Sequence, residues 1–156
     1  MKRLSRWRTI FPLVAILAIP VSFAHDDALF YATNADAHTS ILVGAHAKDR
    51  RISGTPTEKP GTVSDFFYTA HGNFFSDPTG ADAAVVVWAL PSPVSCDRAH
   101  FHINKGARSK VYITVNNVNT TSNTIDFSVN GDVSNVTFKH FSSVSSCAAA
   151  FHGGVN

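Results

Sequence analysis

Residues 110–141 read KVYITVNNVNTTSNTIDFSVNGDVSNVTFKHF, and the fold class follows from this stretch. From Lys110 to Val118 the side chains alternate, with Val111, Ile113 and Val115 on one side and Tyr112, Thr114 and Asn116 on the other. That two-residue period marks a half-buried strand. Thr124 to Asn130 repeats it with Ile125, Phe127 and Val129, and Ser134 to Phe141 continues it with Val136 and Phe138. Between the last two runs, Asn130-Gly131-Asp132 has the chemistry of a primed turn. A Gly131-Asp132 loop pairs Phe127 with Val136 and Ile125 with Phe138, whereas an Asn130-Gly131 loop sets Phe127 against Ser134. Apolar cross-strand pairs contribute up to about 1 kcal/mol each, so the first hairpin register is expected.

Working outward, Ala28 to Thr33, Thr39 to Gly44 and Val63 to Ala70 are short runs of the same kind. Ala83 to Leu90 contains no polar residue, which suits a strand covered on both faces. Val144 to Phe151 is a weaker last strand around Cys147. Lys48 to Thr62, with Glu58, Pro56 and Pro60, reads as a solvated loop, and Ser76 to Gly80 as a turn. Val, Thr, Phe and Ile dominate over Leu, as strands prefer. The expectation is one all-β domain, an antiparallel β-sandwich of immunoglobulin-like or Greek-key type.

Residues 1–24 have the make-up of a cleaved signal peptide. Lys2, Arg3, Arg6 and Arg8 precede an apolar run from Ile10 to Phe23, and Ser22-Phe23-Ala24 fits a cleavage site. The run is shorter than the roughly 20 residues that a helix needs to cross a bilayer. The expected division is a signal peptide, 1–24, and a β-sandwich domain, 25–156, secreted or periplasmic. The leader holds four of the 13 basic residues and none of the 11 acids, so the processed chain has nine bases against 11 acids. Such a balance gives no electrostatic basis for nucleic-acid binding. No later segment is long and apolar enough for a membrane span.

Cys96 and Cys147 are the two cysteines. In an oxidising compartment they are expected to form a disulfide bond. Histidine is the one chemical signal in excess: His25, His38, His46, His71, His100, His102, His140 and His152. On a strand, His100 and His102 project from one face about 6–7 Å apart, within reach of a shared ion. His25 becomes the first residue after cleavage, and its free amine and ring Nδ1 can chelate together. Amine and imidazole nitrogens suit copper, and imidazole also suits zinc. His100, His102 and His25 are therefore the candidate metal ligands, with copper or zinc as the cofactor.

Other chemistry finds little support. There is no Gly-x-Ser-x-Gly elbow, His-Glu-x-x-His pair or Gly-rich phosphate loop. Glu58 is the sole glutamate. Asp65, Asp77, Asp82 and Asp97 suit turns and caps. Phe66, Phe67, Tyr68, Phe74 and Phe75 suit the core, or stacking on a partner if exposed. The expected function is that of an exported binding or structural protein, not an enzyme, with a transition metal held by histidines. The alternatives are an adhesin-like or envelope-associated surface domain recognising a protein or glycan without metal, and a small copper-dependent oxidase built on the N-terminal His25.

Overall fold

The computed structural model describes residues 27–47, 50–51, 57–70, 78–91 and 94–152. The leader, including the expected cleavage junction and His25, lies outside them, as do His71 and most of the 48–56 loop. The chain forms Asp27–Asn34 (β1), Ile41–Ala47 (β2), Arg50–Arg51 (β3), Thr57–Glu58 (β4), Thr62–Ala70 (β5), Gly80–Ala89 (β6), Cys96–Asn104 (β7), Arg108–Asn119 (β8), Thr124–Gly131 (β9) and Val133–Phe141 (β10), then the helix Val144–His152 (α1).

The strands make two sheets. One has the order β5-β1-β8-β9; the other has β10-β7-β6-β2-β3, with β4 also paired to β2. The expected all-β class holds, and pairing is antiparallel except that β1 runs parallel to β8. An apolar core joins the sheets, with Phe30, Val111, Ile113 and Val115 from one and Ile41, Val43, Val85, Phe101 and Ile103 from the other. The alternation in 110–118 and 124–130 predicts the buried positions: Val111, Ile113 and Val115 are at most 1 % exposed.

Two expected elements are corrected. The 124–130 and 134–141 runs do not form a hairpin. β9 pairs with β8 and β10 pairs with β7, so Gly131-Asp132 carries the chain from one sheet to the other. Asp132 N–H donates to the Lys110 carbonyl, and Asn104 N–H donates to the Asp132 carbonyl. Phe127 and Phe138 still meet, edge to face at 5.3 Å between ring centres. Alternation specifies which face is apolar, and an arch between sheets buries that face as well as a hairpin does. Gly131 (φ +102°) passes close to the Lys110 carbonyl, where a Cβ would collide.

The second correction is Val144–His152, a helix and not a strand. Ser143 caps it by accepting the Ser146 N–H at 3.2 Å. The helix packs against β6, β7, β10 and β2 on the face of their sheet away from the main core. There Val86, Cys96 and Cys147 form a second cluster with Trp88 and Phe141. This cover explains why Val85, Val86 and Val87 are all at most 1 % exposed, as the unbroken apolar run predicts. The Cys96–Cys147 disulfide pins the helix to β7 across 51 positions of sequence. No helix among the described residues is long and apolar enough to cross a membrane.

Glu58, expected in a solvated loop, is instead 2 % exposed at the end of β4. It neighbours a buried polar knot in the β1–β2 connection. Asn34 donates to the Thr39 carbonyl at 2.8 Å and to the Glu58 carbonyl at 3.2 Å. Asp36 accepts the N–H groups of His38 (2.9 Å), Thr39 (2.6 Å) and Val118 (2.9 Å), which ties this loop to β8. Burial acts to raise the Asp36 carboxyl, but these N–H donors outweigh it and hold the group below its ordinary range. A depressed folded-state value means that the stabilisation is present above the unfolded pKa of about 3.9 and fades as pH falls through the folded value. Asp36→Ala is expected to cost about 2–4 kcal/mol at pH 7, from three charge-assisted bonds lost. Urea unfolding of wild type and variant should show that gap narrowing as the pH is lowered from neutrality to below 4.

Candidate functional site

Strand β7 builds the histidine face. Ala99, Phe101 and Ile103 point into the core at 0 % exposure, which turns Arg98, His100 and His102 to the other side of the sheet. Both members of the His-x-His motif thus share a face, as the two-residue period requires. Pairing with β6 sets Asp82 opposite His102 and Ala84 opposite His100. Pairing of β6 with β2 sets His46 on the far side of Ala84.

His102 is held from both ring nitrogens. Its Nδ1 lies 2.9 Å from Asp82 Oδ1, and its Nε2 lies 3.2 Å from Thr79 Oγ1. With Nδ1–H donating to the carboxylate, Nε2 is the lone-pair nitrogen and the Thr79 hydroxyl donates to it. The His102 side chain is 19 % exposed and that of Asp82 is 62 % exposed. Gly80 makes this approach possible: its φ is +148°, and a Cβ there would meet the Ile103 carbonyl and stand 2.9 Å from His102 Nε2. A carboxylate that orients an imidazole through one nitrogen is usual for metal-ligating histidines, but here the Nε2 lone pair is taken by the Thr79 hydroxyl, which an ion would have to displace. The same connectivity, carboxylate to imidazole to hydroxyl, appears in acid–base relays. The exposed carboxylate here works in a high dielectric, where its influence on the ring is weak.

His100 is set differently. Its Nε2 is buried with no hydrogen-bond partner among the described residues. Among the described residues no three His, Cys, Asp or Glu side chains lie close enough together to hold a metal ion. His25 lies outside the described residues. Asp27, two positions later, starts β1 opposite Arg108, and the short 105–107 connection joins Arg108 to Asn104 at the end of β7. The described chain therefore begins at the end of the two sheets that carries Asp82 and His102.

The remaining histidines differ in setting. His140 Nδ1 lies 3.0 Å from Asp97 Oδ1, while Asp97 Oδ2 accepts the Ile125 N–H at 2.9 Å and so links β7 to β9 across the sheets. His38 is exposed in the β1–β2 connection, and the side chain of His152 lies outside the described residues. Asp82 and Asp97, read from the sequence as turn or cap residues, both sit on strands and both face a histidine. Both pairings depend on strand registers, β6 with β7 and β7 with β10, that no local pattern in the sequence specifies.

No protein-family model matches the sequence, and no curated protein matches it.

Proposed function

We propose that this chain is an exported, non-enzymatic binding domain, and that His102 anchors a transition-metal ion, copper or zinc. The single observation that carries the reading is the Asp82–His102 pair, 2.9 Å apart, which orients the ring; ligation through Nε2 would displace its hydrogen bond with Thr79. Removal of residues 1–24 would supply the further nitrogens, the new amine and the ring of His25, to the end of the domain where β1 begins. His100 stands two residues from His102 on the same face and is the remaining candidate ligand. The disulfide is compatible with a secreted or periplasmic location. Repeated passage of the chain between the sheets supports a Greek-key sandwich as the finer class.

The test is a competition titration of Cu(II) and Zn(II) against the processed chain. His102→Ala is expected to abolish the site. Asp82→Ala, which removes the acceptor that orients the ring, is expected to weaken affinity by about 10–100-fold. Equal affinity in all three proteins would remove His102 from the site.

A second reading rests on the other sheet. Tyr31 and Tyr112 stack at 5.3 Å between ring centres, with 20° between their planes, and Tyr112 is 37 % exposed. A stacked pair with one ring half-buried and the other partly exposed suits recognition of a glycan or a protein surface. This supports the adhesin-like or envelope-associated alternative. The copper-dependent oxidase alternative draws only on His25, and nothing in the His102 geometry favours it over simple binding.

A further inference from the structure

At the end of the sheets opposite His102, the ends of β6 and β8 and the approaches to β2, β7 and β9 enclose a half-open cavity of about 180 Å³. Leu90, Pro91, Val94 and Ile125 supply apolar wall, and Thr120 and Asn123 supply polar atoms; no lining residue carries a charge. Its walls come from both sheets and are tied together. Ser95 Oγ donates to the Asn123 carbonyl at 2.6 Å, and the Ile125 N–H donates to Asp97 Oδ2 at 2.9 Å. Leu90 N–H donates to the Ser40 carbonyl at 2.8 Å, fixing the third side. These bonds brace the described walls before a ligand arrives, which lowers the cost of binding.

We infer that this cavity is a binding site for a small uncharged compound with one six-membered ring and a hydroxyl group. The size argues for one ring, since an apolar cavity of about 150 Å³ accommodates benzene. The neutral lining argues against an ion, which would shed hydration with no opposite charge to replace it. Hydroxyls and amides beside the apolar wall favour a single polar substituent over a bare hydrocarbon. The site is independent of the metal reading: it uses none of the same residues and lies at the other end of the domain.

The probe is p-cresol, titrated into the isotope-labelled processed chain and followed by amide chemical shifts. Saturable binding is expected with Kd roughly 0.1–1 mM, the range for so few heavy atoms. The shifts should centre on Val94, Thr120 and Asn123. The anion 4-methylbenzoate, of similar shape, is expected to bind at least about tenfold more weakly. Val94 is 51 % exposed, so Val94→Trp fills the mouth without disturbing the core, and it should weaken p-cresol by at least about tenfold. Val63→Trp, at a position 82 % exposed and outside the cavity lining, should leave affinity unchanged. Non-saturable shifts, shifts centred elsewhere, equal binding of the anion, or an undiminished response in Val94→Trp would each overturn the inference.

Discussion

Cys96→Ala combined with Cys147→Ala is expected to lower the unfolding free energy by about 4 kcal/mol, the loop-closure value for a crosslink of this span. The bond closes 51 positions of sequence, so its absence frees a large part of the unfolded chain. In a domain of this size the loss corresponds to a fall in Tm on the order of 15 °C. The native state changes too. The bond joins the start of β7 to α1, and Val86, Trp88 and Phe141 pack around it. This cluster is small, so α1 amides in the double variant should exchange faster than those of β6 and β7. An unchanged Tm would mean that packing alone docks the helix.

Phe101→Ala is expected to cost about 3–5 kcal/mol, the range for deleting a buried aromatic side chain. Phe101 is fully buried at the centre of the shared core. Phe138→Ala, at a ring 56 % exposed, should cost far less, about 1 kcal/mol. Denaturant unfolding of the two variants side by side checks the contrast. Phe101 also connects the fold to the histidine face, because burying its ring turns its neighbours His100 and His102 outward. Phe101→Leu, which keeps most of the apolar volume, should fold and leave His100 and His102 on the face away from the core.

Much of this architecture is legible in the residues. Val111, Ile113, Val115, Ile125, Phe127 and Val129 announce their own burial through strict alternation. The disulfide follows from a cysteine count of two and the expectation of an oxidising compartment. Partner choice is not legible in the same way. Alternation says that Phe127 and Phe138 face a core, but not whether they share a sheet, and they do not. The helix at Val144–His152 was hidden by its short length and by serines that suit a cap as readily as a strand end. β7 itself escapes a simple reading, since Asp97, Arg98, His100 and His102 interrupt the apolar pattern. His100 and His102 could be singled out by spacing alone. Asp82 and Thr79 could not, because their approach to His102 depends on the β6–β7 register.

Processing and metal ligation meet in one measurement. The chain beginning at His25 is loaded with one equivalent of Cu(II), and electron spin-echo envelope modulation reads the remote nitrogens of coordinated imidazoles. Ligation by His102 predicts that modulation from at least two imidazoles in the native chain falls by one in His102→Ala. An identical trace from native chain and His102→Ala, or copper that stays in the buffer, would contradict it.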